Sequence, residues 1–376
     1  MVNMKNVIGI VNFHTSPELS PLTDSRPIGS TSFLGRYALV DFALSNFCNS
    51  GISNVGVLIK NHQRSILKHL GSMDSWVKNT KIGKMSVMIN EDAISGKEAN
   101  TDLNNIRAND WILYDTTASY VVIAPAHILA SIDFRPILEE HIANHDKITL
   151  IATMIENPSK AYLGEEIIHT DKEGFVTDVE DNDGHVRKPS LCSMDAMIIN
   201  RTILADMMHQ YGPRNPLLDL KTLMYRAALE ENYRVRVYEF KGYSRCFDSF
   251  KHYMDYSNEL LDKETFDGLF HPDWPIYTLT HDTPPAIYGE DADVSNSFIA
   301  NGSVIEGTVI NSIISRNVKI AKGAVVKNSI IFSTSKIGEG AGFENALVDK
   351  YAIVTRSHNV CGKEDDPLYI GQGVIL

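Results

Sequence analysis

His141 and His145 stand four residues apart, a spacing that brings two imidazoles to one face of a helix and can seat Zn²⁺. No third ligand and no general-base pattern accompanies them, so the pair reads as a solvated helix face. His127 follows a strand-forming run and would stand at a strand end, either touching a ligand or held as a satisfied structural histidine. The second reading is the stronger. Cys48, Cys192, Cys246 and Cys361 are far apart and fit neither a CxxC metal site nor a disulfide framework, which points to a reduced, cytoplasmic compartment. Arg26 and Arg36 flank the end of a long loop, Asn12–Leu34. They are either plain surface charges or guanidinium forks for phosphate. Within that loop His14-Thr15-Ser16-Pro17-Glu18 carries no glycine, Pro17 removes a donor and Glu18 adds a negative charge. A backbone cradle for polyphosphate needs the opposite of each.

The neighbouring segments place that loop. Val7–Val11 is a short apolar run that reads as a buried strand, and Gly35–Ile59 reads as loop, helix and strand. Together they make a βαβ unit, in which a ligand sits beyond the carboxyl ends of the strands. Helix-like His62–Leu70, with Ile66, Leu67 and Leu70 inward, is followed by a strand over Ser86–Ile89. Then come a helix over Asp102–Thr116, a buried strand Tyr120–Ala124, a helix Pro136–His145 and a strand Ile148–Met154. This alternation predicts a doubly wound, mostly parallel sheet. Glu165–Val186, with turn chemistry at Asp171–Gly174 and Asp181–Gly184, reads as hairpins laid over the sheet. Helices Arg201–Tyr211 and Leu217–Glu230, a strand Val235–Phe240 and a helix Phe247–Leu261 close the domain at residue 262. Residues 263–285 form a Pro-marked connector.

From residue 286 a repeat takes over. Asn296, Asn311, Asn328 and Asn345 each open a similar tetrapeptide, at spacings of 15, 17 and 17 residues. Within each period apolar residues fall six apart, as in Ile314, Ile320, Val326 and Phe332. A hexapeptide period predicts a parallel β-helix of about four to five coils, each coil closing after ~18 residues. At 376 residues the chain has room for two such domains. A net charge of −12 argues against nucleic acid or an anionic membrane as partner, and no apolar run is long enough for a spanning helix.

Val40-Asp41-Phe42-Ala43-Leu44-Ser45-Asn46, followed by Asn49-Ser50-Gly51-Ile52, resembles the sugar-nucleotide pyrophosphorylases, and among them the ADP-glucose pyrophosphorylase (glucose-1-phosphate adenylyltransferase) family. The resemblance covers the whole chain, most strongly Arg26–Ile59 and Ser295–Asn345. It implies an α/β Rossmann-like nucleotidyltransferase domain followed by a left-handed parallel β-helix. The family's chemistry uses a Gly-rich loop, a phosphate lysine and two carboxylates holding Mg²⁺. Here the lysine position is Ile28, the first metal aspartate is Ala126 and the second is Cys246. Cysteine is a poor Mg²⁺ ligand. Asp248, two residues on, is a candidate substitute. The family's sugar-phosphate lysine falls near Glu180-Asp181 and a nucleotide-side glycine at Thr101.

What the resemblance implies is the GlgD-type form: a regulatory, catalytically silent subunit with no catalytic residue, cofactor or metal of its own. Mg²⁺ would belong to an active sibling that makes ADP-glucose. Partners would be that catalytic subunit, in a hetero-tetramer or homo-oligomer, and a phosphorylated sugar or glycolytic effector held by Arg26, Arg36 and Arg245. Two alternatives stand beside it: an active nucleotidyltransferase with displaced metal ligands, and a free-standing sugar-phosphate sensor. Left-handed β-helices also occur in acyltransferases with a catalytic histidine; the repeat region offers only His358 for that role.

Overall fold

A computed structural model of the chain describes residues 3–77, 83–90, 100–114, 116–211, 215–230, 233–355 and 359–376; His358 lies outside them. The first strand, Val7–Asn12, is buried at every position. It pairs in parallel with Asn54–Ile59 on one side and Tyr120–Pro125 on the other. Side chains alternate across a strand, so Val7 and Val11 pack on one layer and Ile8 and Ile10 on the other. The helices Val40–Ser50 and Phe134–Ala143 build the first layer. Asp102–Ala108 and Leu220–Leu229 build the second. Covering both faces is what makes these strands read as unbroken apolar runs.

The sheet runs Val235–Phe240, Ile148–Ile155, Ser190–Asn200, Tyr120–Pro125, Val7–Asn12, Asn54–Ile59, Lys84–Ile89. Its pairings are parallel except those of Ser190–Asn200, which is antiparallel to both neighbours. Of Ser190–Asn200, only Met197–Asn200 pairs with Tyr120–Pro125, which leaves the first half of that long strand with an open edge. The hairpin Glu166–Thr170 and Val176–Asp181 takes the edge, through Ile167 opposite Cys192. The expected hairpin therefore extends the sheet and does not lie over it. An unpaired strand edge is a stronger attractor than a filled face.

Three local expectations change. The helix over Asp102–Thr116 is two helices, Asp102–Ala108 and Trp111–Tyr114, broken where Asn109 bonds the carbonyls of Ile89 and Asn105. Leu67 is exposed while Ile66 and Leu70 are buried. His141 is buried, bonded through Nδ1 to Thr149 and through Nε2 to Asn200, so it is a satisfied core histidine and not part of a solvated face. His145 is exposed.

The repeat forms a left-handed β-helix of three five-stranded parallel sheets, hence five coils. Ile305, Ile320, Ile337 and Val354 stack in one sheet, and Val309, Val326 and Phe343 in the next. The recurring asparagines have φ between +41° and +49°. They turn a corner of each coil in the left-handed region, which Asn tolerates better than most residues.

The two domains share a core. Leu22, Ile28 and Phe33 of the long loop meet Tyr253 from the helix Phe250–Glu259, and Phe332 and Leu347 from the β-helix. Gly35, at φ +71°, lets the loop pass so close that a Cβ there would lie 2.8 Å from the Ile314 carbonyl oxygen. The segment expected as connector begins with a helix, Lys263–Leu269. Among the described residues no helix is long and apolar enough to cross a membrane.

Candidate functional site

The loop beyond the first strand is zipped shut by side chains. Asn12 donates to the Asp102 carboxylate at 2.8 Å, and its Oδ1 accepts from the His14 amide at 2.9 Å. His14 donates from Nδ1 to the Asn100 carbonyl at 3.1 Å, and Nε2 accepts from Asn105 at 3.0 Å. Asp102 also accepts from the amides of Leu103 and Leu220. Burial nevertheless pushes its carboxyl up to about 6. Thr101 caps the helix beginning at Asp102. Phe13 is buried behind this network. Where a phosphate cradle would stand, the loop holds the Phe13 ring and a chain of hydrogen bonds through Asn12, His14, Asn105 and the Asp102 carboxyl.

His14 gives a pH prediction. Burial, with Lys60 nearby and against the Asn100 carbonyl, pushes its imidazole down from 6.5 to about 4. The folded chain therefore binds fewer protons than the unfolded chain across that window, and this contribution to stability rises with pH. A His14→Gln variant should be less stable than the parent by about 1–2 kcal/mol at pH 7, from two weakened hydrogen bonds. The deficit should shrink as pH falls through 6.5 toward 4. Urea midpoints at several pH values read it, and a pH-independent deficit would count against it.

Ile28, Ala126 and Cys246 are all buried. A Cβ added at Gly29 would lie 2.6 Å from the Phe13 ring and 2.7 Å from the Ala126 methyl, so the space is already closed. The strand Ser244–Cys246 pairs antiparallel with Ile128–Ala130 and sets Cys246 opposite Ile128. Asp248 does not stand in for the lost carboxylates. Its Oδ2 accepts from the Leu163 amide and its Oδ1 engages His252. The Mg²⁺ pair that the resemblance brings to mind has a methyl at one position and a thiol at the other, and it does not fit. Glu180 pairs with His169 at 2.9 Å on the exposed end of the hairpin, and Asp181 is exposed beside it.

Behind the strand ends lies a buried ionic cluster that the sequence reading does not include. Lys221 Nζ is 3.1 Å from Glu165 Oε2 and 2.7 Å from Glu166 Oε1. His127 Nε2 is 2.9 Å from Glu165 Oε1. Tyr225 donates to Glu166 at 3.2 Å. Asp195, at φ +51°, is buried beside them. Burial favours the protonated form of Glu165, but His127 and Lys221 outweigh it and hold the carboxyl below its usual range. Glu166, opposed by the same burial with Lys221 as its counterweight, is pushed up to about 7. Burial also pushes the Asp195 carboxyl and the Cys246 thiol up. The available signal was a charge set in an apolar run: Asp195 inside Cys192–Ile199, and Glu165-Glu166 before Ile167-Ile168. Buried charges need partners, so such breaks mark clusters.

The three arginines named from the sequence are not brought together. Arg26 is buried and grips Asp349 with both terminal nitrogens, Nη1 to Oδ1 at 2.9 Å and Nη2 to Oδ2 at 2.5 Å. Arg245 pairs with Glu259 at 2.6 Å and lies over the rings of Tyr243 and Tyr256. Arg36 is exposed over Tyr37. A different basic set lines the cleft between the domains. A cavity of about 240 Å³ is bordered by Ser65, Lys68, His69, His281, Arg316 and Lys350. Arg64 lines the adjoining space together with Arg26, and that space shares Lys68 and Lys350. Burial, with Arg26 and Lys68 close by, pushes the Lys350 ammonium down to about 8 despite Asp349. A cation so placed favours an arriving anion.

Comparison with known proteins agrees with both halves. Residues 16–234 match the nucleotidyl transferase family, and residues 284–367 match the GlmU-like C-terminal hexapeptide family. The chain is 29% identical over 371 residues to the glycogen biosynthesis protein GlgD of Bacillus subtilis, covering 98% of this chain and 96% of that protein. It is 31% identical to GlgD of Geobacillus stearothermophilus, covering 85% and 82%. It is 29% identical to glucose-1-phosphate adenylyltransferase of the same organism, covering 82% and 80%. With a nucleotidyltransferase sheet, a hexapeptide β-helix and relatives matched along most of its length, the chain belongs to the nucleotidyl transferase family that includes the GlgD proteins and the glucose-1-phosphate adenylyltransferases.

Proposed function

We propose that the chain serves glycogen biosynthesis as a regulatory, catalytically silent subunit of glucose-1-phosphate adenylyltransferase. The observation that carries this is the state of the reaction centre. The scaffold that would position substrate is intact, while Ile28, Ala126 and Cys246 replace the charged groups and are buried. Nucleotidyl transfer depends on positioning and charge neutralisation at phosphate, and a closed site with Ile28, Ala126 and Cys246 at those positions offers neither. Asp248, the residue on which an active enzyme with displaced ligands would depend, is committed to Leu163 and His252.

An active sibling would supply the Mg²⁺ chemistry. Exposed Ile287 and Tyr288 on the first coil, and Ile375 beside the last, are apolar surface suited to a subunit contact in a hetero-tetramer or homo-oligomer. The regulatory ligand would be a phosphorylated sugar or glycolytic intermediate in the interdomain cleft, held by Lys68, Arg316 and Lys350, with Arg36 at its rim. Anchored to both domains, it would favour one arrangement of them, and that preference is what an effector needs.

The test is the co-expressed assembly assayed with glucose 6-phosphate, fructose 6-phosphate and fructose 1,6-bisphosphate. Lys68→Ala and Lys350→Ala should weaken the response about tenfold or more while the uneffected rate of the sibling stays the same. Full sensitivity in both variants would remove the cleft from the proposal. Failure of the two chains to co-elute would remove the assembly.

A further inference from the structure

Three distant segments deliver metal-ligating side chains to one buried point. His127 follows the strand Tyr120–Pro125, and its carbonyl accepts from the Phe247 amide at 3.1 Å, which fixes Cys246 beside it. Glu165 enters from the start of the edge hairpin. Its carbonyl accepts from the Asn182 amide at 2.8 Å, and the Asn182 side chain donates to the carbonyls of Pro158, Ala161 and Tyr162. One donor atom from each of His127, Glu165 and Cys246 lies within 4.8 Å of the other two. His127 Nε2 is 2.9 Å, and Cys246 Sγ 3.8 Å, from Glu165 Oε1. In a tetrahedral zinc site with bonds of about 2.0–2.3 Å, neighbouring donors stand roughly 3.3–3.7 Å apart. The Cys246–Glu165 spacing is already close to this, the His127–Glu165 pair would open by about 0.4 Å, and the His127–Cys246 separation, within 4.8 Å, would close by up to about 1 Å.

We propose that His127, Glu165 and Cys246 form a structural site for Zn²⁺, or for a transition metal of the same class, that ties the central strand end to the edge hairpin. Imidazole, carboxylate and thiolate together suit zinc and are a poor set for Mg²⁺. Among the described residues, one lysine, Lys221, faces the buried carboxyls of Glu165, Glu166 and Asp195. On binding, the Cys246 thiol releases its proton to solvent and the imidazole proton moves to Nδ1, which has no hydrogen-bond partner among the described residues. Sγ, Nε2 and Oε1 each give an electron pair to the ion, and nothing is oxidised or reduced. The site is closed to solvent, so loading accompanies folding. This inference is independent of the silent-subunit reading.

The experiment uses the full chain. Elemental analysis after exhaustive dialysis should find about one zinc per chain, as a folding-coupled site requires. Refolding with Co²⁺ should give a thiolate-to-cobalt charge-transfer band. Cys246→Ser should lose that band, while Cys192→Ser, a second buried thiol near Glu165, should keep it. If Cys246→Ser does not fold, X-ray absorption at the zinc edge of the parent decides, by showing one sulfur among nitrogen and oxygen neighbours. A chain that folds cooperatively without metal and takes up none overturns the proposal. So does a cobalt spectrum without the thiolate band, or zinc that Cys246→Ser retains in full.

Discussion

An Ala126→Asp, Cys246→Asp double variant that restores both carboxylates at the family's metal positions should still make no ADP-glucose above background. The same result is expected of the isolated parent chain. Losing a metal clamp and a phosphate lysine should each cost several kcal/mol of transition-state stabilisation, so the deficit against an active relative should be about 10⁴-fold or more. Restoring the carboxylates repairs only part of this. Ile28 still stands at the lysine position, and Phe13 still closes the space against Gly29 and Ala126. The loop remains bonded through His14 to Asn100 and Asn105. The Ala126→Asp change would also put a carboxylate in a site only 2% exposed, and the variant should unfold at lower urea. Pyrophosphate release from ATP and glucose 1-phosphate is the measurement. Robust turnover by the isolated parent chain, abolished by chelator, would falsify the silent-subunit reading.

Replacing Arg26 by Ala should lower the unfolding free energy by about 3–5 kcal/mol, the range for removing one partner of a buried ion pair. Arg26 is 3% exposed and Asp349 is fully buried. Asp349 also accepts from the Tyr369 hydroxyl at 2.5 Å and the Lys350 amide at 2.6 Å. Without the guanidinium that carboxylate keeps two donors and loses its countercharge. The Arg26 side chain also lies over the Phe332 ring, so packing is lost with the charge. Both partners sit where the loop meets the β-helix, so the domain joint should loosen as stability falls. Arg36→Ala is the control: this arginine is exposed, and its removal should cost under about 1 kcal/mol. Urea unfolding of the two variants measures the difference. Equal, small effects would mean that the Arg26–Asp349 pair does not hold the joint. Lost regulation in Arg26→Ala would therefore not by itself identify an effector ligand, and Lys68 and Lys350 are the cleaner probes.

The architecture is legible in the amino-acid order alone. An apolar run such as Val7–Val11, the motif around Asp41–Asn46 and the six-residue recurrence from Ile299 to Phe343 are local patterns. Local patterns survive because strand, helix and coil each impose one period. The residues Ile28, Ala126 and Cys246, at positions where the family carries charge, are legible too, since they can be read one by one. Where long-range partners fall emerges only in the folded chain. Arg26 reads as a phosphate fork until Asp349, near the other end of the chain, is seen to fill it. His141 reads as solvated until Thr149 and Asn200 close over it. The cluster of Glu165, Glu166, Asp195 and Lys221, and the cleft formed by Lys68 and Lys350, join segments that no periodicity links. A side chain's charge is written in the sequence, but its partner is chosen by desolvation. Once burial removes water, each ionised group must take whatever opposite charge the fold has carried within reach.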